Sequence, residues 1–314
     1  MLSGDPILMF DTVHRTLLLK GGATLVLDRP SIMGVVNVTP DSFSDGGSFD
    51  SAQAAVDHAL RLVEQGADLL DVGGESTRPG AGPVDESEEL RRVLPVVEAL
   101  AARAGVPVSI DTAKPSVMRA ALAAGASMVN DVLALRADGA LDAVAEAGAA
   151  AVLMHMRGEP RTMQQDPHYD DVVADVHRFL ADRILACQFA GIDRARLIVD
   201  PGFGFGKTLA HNLDLLRGMD RFATLGVPVL AGLSRKAIIG AITGRDAPRE
   251  RLHGSVAAAL LAVQKGAAIV RVHDVAATRD ALAVWQAVAS GVPVREARLA
   301  DPDAARRVRL LAED

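Results

Sequence analysis

The sequence predicts an α/β fold, a single (β/α)8 TIM barrel whose bottom is closed by an N-terminal β-hairpin. Three observations carry that prediction. A unit of short apolar run, polar loop and amphipathic stretch recurs along the chain. The same glycine punctuation, as at Gly125-Ala126, Gly148-Ala149 and Gly266-Ala267, precedes the apolar runs. The polar residues of each run gather at its C-terminal end. Glycine ends a helix readily because it takes the left-handed conformation without a Cβ penalty. Parallel strands joined by crossover helices can close on themselves and so lose their exposed edges, a doubly wound open sheet being the alternative.

Composition bounds the chemistry. A chain of 314 residues is long enough for two domains, but barrels of alternating strands and helices use that length for one. Aromatic residues make up only 3%, so Ala, Val and Leu must fill the core. With 33 Lys and Arg against 40 Asp and Glu, a net charge of -7 argues against nucleic acid or an anionic membrane as the main partner. Cys187 is the only cysteine, which excludes an internal disulfide, points to a reducing compartment, and in its helical pattern reads as packing. No apolar run approaches the roughly 20 residues of a membrane span. Asp5 and Asp11 interrupt the N-terminus where a secretory signal needs a continuous apolar stretch. The expectation is a soluble cytoplasmic protein.

Taken in order, residues 1–30 form an extension and hairpin. Leu17-Leu18-Leu19 and Leu25-Val26-Leu27 are parted by Lys20-Gly21-Gly22, a hairpin signal suited to a lid on the closed end. Residues 31–290 form the barrel. Its strands are predicted at 32–37, 68–72, 107–111, 127–130, 150–154, 196–200, 228–232 and 268–272. Between them, helical spacing recurs at Val56, Leu60 and Val63, and most clearly at Val172, Val176, Phe179 and Ile184. Residues 291–314 form a charged tail, read as a surface helix or a frayed end of the same domain.

The strand tips carry the chemistry. In order they deliver Asn37; Asp71 with Glu75 to Arg78 beyond it; Asp111-Thr112; Asn130-Asp131; Met154-His155; Asp200; Ser234-Arg235-Lys236; and Arg271 with His273. Each has a bland reading: Asp111 or Thr112 as a helix cap, Asp200 or Asn130-Asp131 as a turn, His155 as a satisfied core histidine that is left out of the site. Convergence on one end favours a common mouth. Arg271 and His273, two apart, face one side of a strand and put positive charge at that mouth, suited to a phosphate. Opposite them Asp111, Asn130 and Asp200 offer acceptors and an amide edge for a flat heterocycle. Two familiar motifs fail. The run from Gly202 to Thr208 resembles a phosphate loop, but Pro201 stands where its first glycine belongs, and Lys207 replaces the third glycine of a dinucleotide pattern. No His and Cys cluster suggests a protein-held zinc.

The motifs together resemble the dihydropteroate synthase family of pterin-binding barrels. They are N-V-T-P-D-S-F-S-D-G-G from Asn37, D-V-G-G-E-S-T-R-P-G from Asp71, S-I-D-T from Ser109, N-D-V from Asn130, M-H-M from Met154, D-P-G-F-G-F-G-K from Asp200, G-L-S-R-K from Gly232 and R-V-H-D from Arg271. The resemblance implies condensation of 6-hydroxymethyl-7,8-dihydropterin diphosphate with 4-aminobenzoate. It implies that Asp111, Asn130, Met154, Asp200 and Lys236 hold the pterin, and that Asn37, Arg271 and His273 hold the diphosphate. Mg2+ would be carried mainly by phosphate oxygens, with Asn37 as the protein's contact. Phe43, Thr77, Pro79, Phe205, Ser234 and Arg235 would shape the aminobenzoate pocket, where sulfonamides compete. Asp45, Arg78 and Lys236 would serve catalysis, Asp45 facing a pterin methylene cation. The resemblance also implies a homodimer, with small molecules as the only other partners. A folate-dependent methyltransferase of the same superfamily and a pterin-binding protein without synthase activity are the rival readings.

Overall fold

The computed structural model describes residues 16–39, 48–76, 82–158, 162–290 and 308–309. The chain enters through an antiparallel hairpin of β1 (Thr16–Leu18) and β2 (Thr24–Val26), paired Thr16 to Val26. Eight parallel strands follow: β3 (Ser31–Asn37), β4 (Leu69–Gly73), β5 (Val108–Asp111), β6 (Met128–Asp131), β7 (Ala150–Met154), β8 (Leu197–Asp200), β9 (Leu230–Ala231) and β10 (Ile269–Val272). Their order is β8-β7-β6-β5-β4-β3-β10-β9, and a parallel bridge from Val199 to Val229 joins the two ends, so the sheet closes. The predicted fold class holds. The seventh strand is shorter than expected from 228–232 because Pro228 has no N–H to donate, although its carbonyl still accepts from Val199 N at 3.0 Å.

Helices wrap the barrel: α1 (Ser48–Glu64), α2 (Glu86–Arg103), α3 (Pro115–Ala123), α4 (Ala140–Ala147), α5 (Val172–Phe189), α6 (Leu209–Arg217), α7 (Ala237–Thr243), α8 (Leu252–Gln264) and α9 (Val275–Ser290). Local chemistry sets their ends. Pro115 opens α3, where its missing N–H costs nothing. The Asp171 carboxylate caps α5 by accepting from Val173 N and Ala174 N at 3.0 Å. Thr208 and His211 form a capping box on α6, and Gly148 closes α4 in the left-handed region.

The two-residue period of the strands sorts their side chains. Ile32, Leu70, Val72, Ile110, Val129, Ala151, Leu153, Val199 and Val270 point outward into a core shared with the helices. Met33, Leu69, Met128, Val152, Ile198, Leu230 and Ile269 form a separate inner cluster with Leu17, Leu19, Leu25 and Leu27 of the hairpin. The hairpin therefore seals the barrel floor. Each of its four leucines is at most 3% exposed, worth about 1.5–3 kcal/mol apiece in burial. Arg196 pins it by donating to Leu19 O and Gly148 O, both at 2.7 Å. From the charged tail, β11 (Val308–Arg309) pairs antiparallel with β2, adding a strand to the hairpin sheet where the sequence suggested a helix or a frayed end.

Candidate active site

The same parity that builds the floor builds the mouth. One step of two residues beyond Leu69, Met128, Ile198 and Ile269 come Asp71, Asn130, Asp200 and Arg271. Arg271 reaches over β3 to two carboxylates: its Nε donates to Asp71 Oδ2 at 2.6 Å and its Nη2 to Asp111 Oδ2 at 2.7 Å. Asn130 Nδ2 donates to the same Asp71 oxygen at 2.9 Å. Across the mouth, a Cβ built on Gly232 would lie 3.7 Å from Lys236 Nζ, 3.8 Å from Arg271 Cβ and 3.9 Å from Asp200 Oδ2. Asp111, Asn130, Asp200, Lys236 and Arg271 thus gather at one mouth of the barrel. Asn37 ends β3 at the same level, in register with Gly73.

Apolar surface lines one side. Met154, Met156, Met163 and Val132 cluster against Phe205, and Lys236 Nζ lies 4.6 Å from the Phe205 ring centroid while donating to Phe203 O at 2.6 Å. Burial in this setting disfavours charge. It pushes the Asp111 carboxyl up to about 7, against the pull of Arg271 and with the help of the Asp71 charge. It raises Asp200 despite Lys236, and lowers Lys236 to about 8 despite Asp200. Burial alone would also lower Arg271, but Asp71 and Asp111 hold it above its usual range. Three carboxylates and two cations in a dry mouth suit a planar ligand rich in N–H donors.

Ser234 and His273 meet: Ser234 Oγ accepts from His273 N at 3.1 Å and lies 3.1 Å from its Nδ1. Arg271 and His273 are therefore not the simple pair of cations that their spacing suggests, because Arg271 is already matched by two acids. Arg235, at φ +58°, turns its guanidinium to Asp274, with Nε donating to Oδ2 at 2.9 Å. Phe43, Asp45, Thr77, Arg78 and Pro79 lie outside the described residues.

The glycine-rich turn after β8 has a structural cause. Gly202 (φ +71°) and Gly206 (φ +63°) pass so close to the next segment that a Cβ would sit 1.9 Å from His155 O and 2.3 Å from Arg157 O. Lys207, 3% exposed, braces the turn by donating to Gly202 O at 2.9 Å and Phe205 O at 3.0 Å, with Nζ 2.9 Å from His155 Nδ1. Burial and the Lys207 charge push His155 down to about 2, and its ring packs edge-on against Phe179 at 4.9 Å. It is the core histidine that the sequence suggested.

Sequence reasoning gave no role to Asp71, although an acid in line with Leu69 on an otherwise apolar strand was a signal. It also passed over Lys114. That ammonium contacts Glu75 and, at 2.5 Å, the fully buried Glu89, while Glu75 Oε1 accepts from Val84 N at 3.2 Å. The cluster ties both flanks of residues 77–81 to α2.

Comparison with known proteins agrees with this arrangement. A family profile described as "pterin binding enzyme" matches residues 33–273. The chain is 50% identical over 269 residues to the dihydropteroate synthase of Escherichia coli K12, covering 86% of this chain and 95% of that one. Dihydropteroate synthase of Xanthomonas albilineans, solved with 4-aminobenzoic acid, superposes with a TM-score of 0.84 at 62% identity over 89% of this chain and 100% of that one. The same enzyme in complex with 7,8-dihydropteroate gives 0.81 at 60% identity, covering 88% and 100%.

Proposed function

The chain belongs to the pterin binding enzyme family and its activity is that of a dihydropteroate synthase, a transferase; from that premise we propose how its mouth divides the reaction. The observation that carries the reading is the convergence of Asp111, Asn130, Asp200, Lys236 and Arg271 on one opening. Asp111, Asn130 and Asp200 accept from the N–H edge of 6-hydroxymethyl-7,8-dihydropterin diphosphate, Lys236 donates to a ring acceptor, and Met154 packs on the ring face. Arg271, His273 and Asn37 take the diphosphate. Ser234, Arg235 and Phe205 border the aminobenzoate site, to which the family motifs add Phe43, Thr77 and Pro79, with Asp45 and Arg78 near the reacting carbon.

The chain's one thiol takes no part in the chemistry. Cys187 is fully buried in the outer core with its thiol pushed up to about 11 by burial, so it is no nucleophile for this mouth. As the family resemblance implies, the methylene C–O bond breaks first, its electron pair leaving with diphosphate, and the ring stabilises the cation. The aniline nitrogen of 4-aminobenzoate then attacks and loses a proton. Preorganised charge, with water excluded, is the protein's contribution.

For the magnesium ion that the family implies, the donor set decides the fit. Among the described residues no group of three or more His, Cys, Asp or Glu side chains gathers to hold a metal, so a protein cage does not fit. The Asn37 amide oxygen would suit a Mg2+ carried in with the diphosphate, since Mg2+ prefers hard oxygen donors. When bound, the ion neutralises charge on the departing diphosphate. A homodimer is supported by the exposed apolar side chains Ile242, Leu261, Val284 and Val288 on α7, α8 and α9. The lone buried Cys187 suits a reducing cytoplasm.

Diphosphate release tests the whole reading. It is expected when both substrates and Mg2+ are present, and to be suppressed by a sulfonamide in competition with 4-aminobenzoate. Binding of the pterin without diphosphate release would instead favour a non-catalytic pterin-binding protein. Methyl transfer from a folate would favour the methyltransferase.

A further inference from the structure

We propose that Asp71 is a positioning residue that presets, through a single carboxylate oxygen, both the amide that reads the pterin ring and the guanidinium that meets the diphosphate. The inference rests on the function proposed above. Asp71 Oδ2 accepts from Arg271 Nε at 2.6 Å and from Asn130 Nδ2 at 2.9 Å, and the residue is fully buried, so it touches no ligand itself. Its other oxygen, Oδ1, is buried with no partner among the described residues, so the whole hold on the site passes through Oδ2.

Two consequences follow. The Asn130 amide has one allowed orientation, because a flip would set its Oδ1 against a carboxylate oxygen, acceptor against acceptor. Oδ1 therefore faces the mouth, and together with Asp111 and Asp200 it presents acceptors to the ligand edge. A ring of the same shape with acceptors there is rejected, since buried polar groups left unpaired weigh more than lost contact area. For Arg271, Asp71 and Asp111 occupy Nε and Nη2, which fixes the plane of the guanidinium and leaves Nη1 for a phosphate oxygen. Arg271 reaches Asp71 from two strands away and Asp111 from three, so no backbone pairing would keep it there without them.

Double-mutant cycles test this, since residues acting as one unit give losses that do not multiply. Asp71→Asn is expected to weaken calorimetric binding of 6-hydroxymethylpterin, which lacks the diphosphate, by about tenfold or more, but by less than about threefold on an Asn130→Ala background. In turnover it is expected to raise KM for the diphosphate ester about tenfold, again by less than about threefold on an Arg271→Met background, while KM for 4-aminobenzoate stays within about twofold. Multiplying losses in either cycle, or an equal rise in KM for 4-aminobenzoate, would overturn the inference. If Asp71→Asn does not fold, Asp71→Glu keeps the charge with a displaced oxygen and is expected to give the same pattern; multiplying losses there count equally against it. A wild-type protein that releases no diphosphate overturns the proposed function, whereas wild-type turnover with multiplying losses overturns the role of Asp71 alone.

Discussion

Replacing Asn130 by aspartate, N130D, is nearly isosteric and interrogates the contact on which the mouth depends. It sets a second carboxylate oxygen 2.9 Å from Asp71 Oδ2, inside a buried layer. Two unit charges about 3 Å apart repel by about 5–6 kcal/mol at an effective dielectric of about 20. Protonating one carboxylate instead costs about 1.4 kcal/mol for each pH unit above about 3.9, hence about 4 kcal/mol at pH 7. Protonation is the smaller penalty, and the acid so formed donates to Asp71 as the amide did. The new group therefore has a folded-state pKa above its unfolded one, and its stability is intact below about pH 4 and lost as pH rises. The gap between wild type and N130D is expected to be about 1.5 kcal/mol at pH 5 and about 4 at pH 7, levelling at about 5–6 above pH 8. Urea midpoints for both proteins at pH 5, 6, 7 and 8, with matching m values, measure it. A gap that does not change with pH, or one below about 1 kcal/mol at pH 7, would refute the contact between Asn130 and Asp71.

Two further outcomes follow from the same geometry. Lys207→Met leaves the Gly202 and Phe205 carbonyls and His155 Nδ1 unpartnered in a buried turn, a loss of about 3–5 kcal/mol and about 6–15 °C in melting temperature by calorimetry; a change under about 2 °C would mean that Lys207 is not a brace. Because burial pushes the Asp111 carboxyl up to about 7 and its ionised form accepts an N–H more strongly than its protonated form, pterin affinity is expected to rise with pH up to about pH 7 and to level above it, while Asp111→Asn flattens the profile; an unchanged slope in the variant would refute the assignment.

The fold was legible because its signals are local. Glycine punctuation and apolar runs locate all eight barrel strands, and the hairpin is visible in Leu17-Leu18-Leu19 and Leu25-Val26-Leu27. The polar strand ends were legible for the same reason, since a two-residue period puts Asp200 above Ile198 and Arg271 above Ile269. What the sequence hides is which tips touch. Arg271 meets Asp71 and Asp111 across 200 and 160 residues of chain, a pairing set by the stagger of the closed sheet. Arg235 shows the limit from the other side. Its backbone at φ +58° and its partner Asp274 direct its guanidinium, and neither is written in the S-R-K motif. Lys207 is a third case, for only the passage of Gly202 and Gly206 under residues 155–157 gives its ammonium a use.

Floor and mouth are one electrostatic device. Along β4, β6, β8 and β10 the inward side chains change from Leu69, Met128, Ile198 and Ile269 to Asp71, Asn130, Asp200 and Arg271 within two residues, a rise of about 6–7 Å. Beneath the charged layer lies a mainly apolar cluster, sealed by Leu17, Leu19, Leu25 and Leu27, with Ser109 one two-residue step below Asp111. Water therefore solvates these charges only from above, which is why burial dominates the shifts of Asp111, Asp200 and Lys236. A flat ligand that covers the opening removes the remaining water and replaces it with N–H groups aimed at carboxylates already held in place. The hairpin makes no contact with that ligand, yet by keeping the floor dry it sets the strength of every interaction above it.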